Sequence, residues 1–289
     1  MMTVTAYLTM QKDRINRYLD DYLLPETVKP EIIHKAIRYS VFSGGKRFRA
    51  ALCTASCEMF GGDTVKVLPV AAGIELIHTY SLIHDDLPCM DDDDLRRGKP
   101  TLHKVYGENI AVLAGDALNA LAFDLVSRAE DCRIIKVLAH AIGTEGMIGG
   151  QVADVMSSGK NGISEEDVKF IHTRKTAALI NASVRMGALA AGASERDLEI
   201  VDRYGSSIGL AFQIVDDILD IESSEEVLGK DVGSDEDLDK ATYPKAVGIE
   251  SARLLARTLV RDACDVLTAV DGDTTVLKKL AEFVIERVY

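Results

Sequence analysis

Tryptophan is absent from the 289 residues, aromatic side chains make up 6%, and only six prolines interrupt the chain. A β-sandwich leans on aromatic and β-branched residues, so this scarcity, with an apolar fraction of 47% carried by Ala, Leu, Ile and Val, favours helices. Charged residues at 27% beside that apolar fraction exclude a disordered chain. No C-x-x-C occurs among Cys53, Cys57, Cys89, Cys132 and Cys264, which argues against a zinc site or a thioredoxin-like pair. Cys53 and Cys57 lie one helical turn apart and read as small core residues. The odd, unpaired set fits a reduced cytoplasm. Positive charge is short as well: 33 Lys+Arg against 46 Asp+Glu leave −13. Nucleic-acid binders have the opposite balance, although anions still bind where cations gather locally. No basic-then-apolar leader is present at Met1-Met2-Thr3-Val4-Thr5. The longest apolar stretch, Val67 to Ile83, contains Glu75 and His78 and reads as a buried helix rather than a membrane span.

What is present is helical periodicity almost throughout. Val65 to Ile83, apolar nearly all round, predicts a central helix; Asn109 to Arg128 and Ile134 to Val155 predict further long helices. Ser164-Glu165-Glu166-Asp167 and Ser194-Glu195-Arg196-Asp197 look like capping boxes. Gly44-Gly45, Gly61-Gly62 and the glycines between 159 and 162 punctuate the joins. No alternating pattern persists beside a hairpin signal, and neither a repeat nor a flexible linker is evident. The expectation is one all-α domain over 1–289, a large helical bundle.

Two acidic clusters stand out. Directly after the central helix, Asp85-Asp86-Leu87-Pro88-Cys89-Met90-Asp91-Asp92-Asp93-Asp94 gathers six aspartates. On its own such a run is as readily a solvated loop. The second, Asp216-Asp217-Ile218-Leu219-Asp220, lies inside an apolar helical pattern. Asp216 and Asp220 are one turn apart on one face, with Gln213 on the same side. Carboxylates on a buried helix need something positive to meet them, and oxygen-only donors suit Mg²⁺. Asp85 and Asp91, six apart, would diverge on an unbroken helix. Pro88 breaks it, and two bulged residues would return Asp91 beneath Asp85. A calcium loop at Asp235 fails: position 6 is Lys240 instead of Gly, and position 12 is Ala246.

Cations accompany the acids. Gly44-Gly45-Lys46-Arg47-Phe48-Arg49 is no P-loop, since Ser40 and Arg47 stand where Gly and Ser or Thr are needed, and no G-x-G-x-x-G exists. A Gly-Gly turn with Lys46 and Arg49 still offers donors and charge to a diphosphate. Arg96-Arg97-Gly98-Lys99 follows the first acidic cluster. A diphosphate held partly through metal and partly by arginine needs both signs adjacent, while simple pairing of the acids with the arginines is the plainer alternative. Arg174-Lys175-Thr176, Lys230 and Lys240 add further charge. His78 lies two turns before Asp85 on the same face; a lone His on an apolar helix is ordinarily a core residue, and its alignment with the aspartates suggests a ligand role.

These residues resemble the short-chain trans-isoprenyl diphosphate synthases, most of all the bacterial farnesyl diphosphate synthases. The resemblance runs through Gly44-Gly45-Lys46-Arg47, Asp85 to Asp91 with two inserted residues, Arg96-Arg97-Gly98-Lys99-Pro100-Thr101, Gly149-Gly150-Gln151-Val152-Ala153-Asp154, Lys175-Thr176, Phe212-Gln213 with Asp216 to Asp220, Leu228 to Gly233, and Lys240 to Pro244. It implies the isoprenoid synthase fold, an all-α bundle around a deep central cavity, as a cytoplasmic homodimer binding neither nucleic acid nor membrane. It implies a prenyltransferase of isoprenoid biosynthesis that condenses isopentenyl diphosphate with dimethylallyl and geranyl diphosphates through an allylic carbocation. By resemblance, Asp85, Asp91, Asp216 and Asp220 bind Mg²⁺, three ions when the diphosphate is bound, with Asp86 in support and Asp217, like Asp220, a weaker candidate ligand than Asp216. Arg96, Lys175, Thr176, Gln213, Lys230 and Lys240 hold the allylic diphosphate. Lys46, Arg49, His78 and Arg97 hold isopentenyl diphosphate. The central catalytic set is Asp85, Asp86, Asp91, Arg96, Lys175 and Asp216. Tyr80 and Ser81, just upstream of Asp85, form the expected floor for the growing chain. The bulky Tyr80 implies a C15 product, farnesyl diphosphate, with geranylgeranyl diphosphate (C20) as the main rival. A terpene cyclase or a non-catalytic prenyltransferase subunit accounts less well for two intact aspartate motifs beside a second set of cations.

Overall fold

The computed structural model describes residues 2–157, 164–222 and 242–286. Its contacts divide the chain into two compact units, and the division falls inside one helix, after Ala51. Among the described residues the first unit holds 2–51 and 68–130, and the second holds 52–67, 131–157, 164–222 and 242–286.

The first unit contains α1 (Val4–Tyr22), α2 (Glu31–Val41), the start of α3 (Phe48–Met59), α4 (Leu68–Asp85), α5 (Leu102–Tyr106) and α6 (Glu108–Ser127). Thr3 caps α1 by accepting from the Ala6 amide, and Leu8, Gln11, Ile15 and Leu19 form its buried stripe. α4 is the apolar helix anticipated from Val65 to Ile83, but it begins at Leu68 and ends at Asp85. It is buried on nearly every side, including Ile74, Leu76 and Ile77. Its antiparallel packing on α6 depends on missing side chains. A Cβ on Gly73 would lie 2.7 Å from Val126 Cγ2, and one on Gly115 would lie 2.1 Å from His84 Nε2. The His84 ring thus occupies the space above Gly115, and its Nε2 sits 3.1 Å from the Val112 carbonyl.

One short hairpin was not anticipated. Leu95–Arg96 pairs antiparallel with Lys99–Pro100. Arg97 and Gly98 turn it, with φ of +56° and +73°, the left-handed pair that two-residue hairpins prefer. Each strand is two residues long, too short for any alternation to register in the sequence.

The second unit contains the rest of α3, then α7 (Cys132–Ile142), α8 (Met147–Ser157), α9 (Glu165–His172), α10 (Ala178–Ala190), α11 (Glu195–Glu222), α12 (Tyr243–Val247), α13 (Ile249–Val266) and α14 (Thr275–Glu286). The single helix expected over Ile134 to Val155 is two. Gly143 leaves helical geometry with ψ of −165°, and a Cβ on Gly146 would meet Ala141 O at 2.1 Å. The glycines turn the chain where hydrophobic periodicity alone would have continued it. Both Ser caps form: Ser164 makes a full capping box with Asp167, and Ser194 Oγ accepts from the Asp197 amide at 3.2 Å.

α11 is 28 residues long, with buried residues from Leu198 to Asp220. Tyr204, fully buried, donates its hydroxyl to Leu277 O at 2.7 Å. Close contacts again rest on glycine: a Cβ on Gly209 would lie 2.7 Å from Ala177 Cα, and one on Gly187 would lie 2.0 Å from Cys53 O. All five cysteines are free, with Cys53 and Cys57 buried.

Candidate functional site

In the first unit, Gly44 and Gly45 precede α3 with φ of +119° and +103°, values open to glycine and strained for other residues. Space also demands glycine. Arg97, projected from the hairpin turn, donates NH1 to Gly44 O at 2.5 Å, and a Cβ on Gly45 would lie 2.7 Å from that guanidinium. Lys46 is exposed on the same loop, and Arg49 is half-buried in the first turn of α3. Burial depresses the His78 imidazole pKa well below its ordinary value, and Arg49, Arg97, Arg47 and Arg96 add to the effect. Arg97 is anchored to the loop that leads into Arg49. The charge of Arg49 and Arg97 suits a dianionic group.

Arg47 was read only as a loop cation, and its place is inside. It is 4% exposed, with Nε on Asn16 Oδ1 at 3.0 Å and NH2 on the Val41 carbonyl. Its NH1 lies 3.5 Å from Glu75 Oε2, and Glu75 Oε1 accepts the Ala50 amide at 3.0 Å. Arg47 and Glu75 are the scaffold of this loop.

The charge state of His78 has a consequence for stability. Its folded pKa lies below its unfolded value near 6.5. Its stabilising contribution is present above that value and is lost as pH falls through the folded pKa, because the unfolded chain takes up the proton first. Asp86, pushed up to about 6, runs the other way. The ligand-free His78→Gln variant is thus expected to lose less stability than the parent between about pH 7 and pH 5 by denaturant titration. Parallel curves would remove His78 from the cationic group.

The first aspartate segment leaves the helix as its proline predicts. The Asp91 amide donates to Asp85 O at 2.9 Å, six residues back, while Met90 and Asp92 amides both donate to Leu87 O. Pro88 and Cys89 bulge outward and are exposed, and Asp85 and Asp91 are partly exposed. Asp86 points elsewhere. It is 4% exposed and accepts Arg96 Nε at 2.9 Å; Arg96 NH2 also reaches Asp93 Oδ2 at 2.6 Å. Burial raises the Asp86 carboxyl to about 6 even though Arg96 opposes the shift.

The second unit carries a π-turn at Thr173–Ala177, between α9 and α10. Such turns widen the helix by one residue and are frequent at functional sites. Here Lys175 Nζ reaches Asp154 Oδ2 on α8 at 2.6 Å, and Thr176 Oγ1 donates to Gln213 Oε1 on α11 at 2.7 Å. Gly150 allows α8 to lie against the turn: a Cβ there would be 2.2 Å from Lys175 N. Gly150→Ala therefore forces backbone apart. It is expected to cost roughly 1–3 kcal/mol of stability and to displace Lys175, read by denaturant titration beside steady-state turnover. Unchanged stability would show that the turn yields without strain.

Asp216 is partly exposed on α11, and Asp220, one turn on, is buried. Asp217, also buried, accepts from His172, Gln213 and the Tyr243 amide. Sequence reasoning left His172 without a role. Tyr80 is buried on α4 with its ring edge-on to His84, centroids 5.1 Å apart, and Ser81 Oγ donates to His78 O. Lys230 and Lys240 lie outside the described residues.

The donor chemistry fits magnesium. The candidate ligands are all carboxylate oxygens, and among the described residues no three acidic, His or Cys side chains converge as a ready-made cage. Magnesium is commonly held by one or two carboxylates with the remainder supplied by water and phosphate.

A family model described as polyprenyl synthetase matches residues 30–274. The chain is 47% identical over 295 residues to heterodimeric geranylgeranyl pyrophosphate synthase large subunit 1, chloroplastic, of Arabidopsis thaliana, covering 98% of this chain and 79% of that protein. It is 46% identical over 289 residues to geranylgeranyl pyrophosphate synthase, chloroplastic, of Capsicum annuum, covering 97% and 78%. The crystal structure of geranyltransferase from Helicobacter pylori complexed with magnesium and isoprenyl diphosphate superposes with a TM-score of 0.85 at 34% identity, covering 99% of this chain and 97% of that one.

Proposed function

Since the chain belongs to the polyprenyl synthetase family, we propose that it joins isopentenyl diphosphate to allylic diphosphates and releases geranylgeranyl diphosphate, C20. It is a prenyltransferase with the all-α isoprenoid synthase fold. The C20 product replaces the C15 expectation as the leading reading. Two relatives nearly half identical along the whole chain carry the geranylgeranyl name. The ring of Tyr80 packs against His84, which fills the seam between α4 and α6. A farnesyl product remains the second reading, favoured by the bulk of Tyr80 just before Asp85.

In this reading Lys46, Arg49, His78 and Arg97 receive the diphosphate of isopentenyl diphosphate, with His78 neutral and able to donate one hydrogen bond. Arg96, Lys175, Thr176 and Gln213 hold the allylic diphosphate, with Lys230 and Lys240 assigned there from the sequence. Asp85 and Asp91 hold magnesium, as do Asp216 and Asp220. Magnesium held there would supply positive charge to the leaving diphosphate. Lys175 and Arg96 add positive charge as the allylic C–O bond breaks, and their fixed carboxylate partners keep them in place before reaction. Positioning brings the isopentenyl double bond onto the cation. The proton then lost passes to the departed diphosphate. The chain acts as one domain, since the family match spans residues assigned to both units. It acts as a cytoplasmic homodimer, with exposed Val112 and Leu113 on α6 as a candidate contact.

The test is product length. Purified protein with isopentenyl and dimethylallyl diphosphates and Mg²⁺ is expected to yield mainly C20, and Tyr80→Ala to leave that distribution in place. A dominant C15 product that lengthens in Tyr80→Ala would restore the floor role of Tyr80.

A further inference from the structure

Asp217 sits between two candidate metal ligands, yet its carboxylate is fully engaged inside the protein. It is 2% exposed. Oδ2 accepts from His172 Nε2 at 2.7 Å and from the Tyr243 amide at 2.9 Å, and Oδ1 accepts from Gln213 Nε2 at 3.1 Å. The donors come from the end of α9, the start of α12 and the preceding turn of α11. The other end of the Gln213 amide, Oε1, takes the Thr176 hydroxyl at 2.7 Å. With Nε2 held by a carboxylate, the amide can present only its oxygen to Thr176.

The connections close a circuit. His172 is the residue immediately before the π-turn, Thr176 lies within the turn, and Gln213 and Asp217 face it from α11. Lys175, between them, is braced on Asp154. His172 is itself buried, and its ring lies 5.4 Å from that of Tyr243. Its Nε2–H reaches Asp217 from the end of α9.

We infer that His172 is a positioning residue for the allylic diphosphate site. Through Asp217 it fixes the Gln213 amide and hence Thr176, and it commits Asp217 to the scaffold. Metal binding on α11 then rests on Asp216 and Asp220. The inference builds on the site reading given under the proposed function. Partners beyond the residues that touch a ligand commonly change affinity or activity by about 10–100-fold when removed.

Two variants separate the donor from the packing. His172→Phe fills the ring volume without a donor, and His172→Gln supplies an amide N–H. His172→Phe is expected to raise the KM for the allylic diphosphate by about tenfold or more. The KM for isopentenyl diphosphate should stay within about twofold of the parent, and His172→Gln should recover most of the loss. In Asp217→Asn the Mg²⁺ concentration for half-maximal activity should stay near that of the parent. An unchanged allylic KM in His172→Phe overturns the inference. So does equal damage in both His172 variants, an equal shift in the isopentenyl KM, or a raised Mg²⁺ requirement in Asp217→Asn. If the parent protein performs no condensation, the function reading fails separately. The positioning role is then read by calorimetry with inorganic diphosphate and Mg²⁺. About tenfold weaker binding in His172→Phe, recovered in His172→Gln, upholds it, and equal affinities overturn it.

Discussion

Replacing Asp85 with Ala is expected to lower turnover by about a hundredfold or more, the scale of losing one element of charge stabilisation at a reacting diphosphate. The fold should survive. Asp85 is the last residue of α4, and the contact that shapes the following loop uses its carbonyl, which accepts the Asp91 amide at 2.9 Å. Alanine keeps that carbonyl and is a good helix former. The carboxylate is partly exposed, so its removal leaves no cavity of consequence. Circular dichroism and the denaturation midpoint should match the parent while kcat falls. Turnover within about threefold of the parent would take Asp85 out of the metal set.

Glu75→Ala has the largest expected effect on stability. Glu75 and Arg47 are both buried, with Oε2 3.5 Å from NH1, and Oε1 also takes the Ala50 amide. Truncating Glu75 strands a guanidinium and an amide together. Breaking a buried pair from one side costs about 3–5 kcal/mol. The double replacement Arg47→Met with Glu75→Leu should be less damaging than Glu75→Ala, because it removes both charges. The double variant should nevertheless bind isopentenyl diphosphate poorly, since Arg47 anchors the loop that carries Lys46 and leads into Arg49. Denaturant titration reads the first effect and KM the second. A single variant as stable as the parent would mean that water or another group replaces the carboxylate.

Much of this was legible before any coordinates. The apolar sweep of α4, the caps at Ser164 and Ser194, and the break at Pro88 follow from local chemistry, and each is where periodicity or turn residues placed it. What escaped was long-range. Arg47 reads as one cation among three until Glu75 is folded against it. His172 meets Asp217 45 residues on in sequence, with nothing local to mark the pairing. The hairpin at Arg97 is too short for a strand pattern, and Gly143 and Gly146 broke a helix whose apolar period ran on unbroken. The candidate metal ligands were picked out in the sequence because carboxylates on an apolar helix are costly without a cation. The surroundings of Tyr80 were not legible, because they are set by His84 and Gly115 together.

The π-turn makes residue count a property of the candidate site. A turn of this kind holds one residue more than the α-helical turn it replaces, so α10 is rotated by about 100° from the phase that α9 would otherwise impose. Deleting any one residue from Thr173–Ala177 would restore ordinary winding. It would also swing His172 out of step with the residues that follow, parting Asp217 from His172 or Asp154 from Lys175. Thr173 and Arg174 are open to exchange one at a time; the length of the stretch is not.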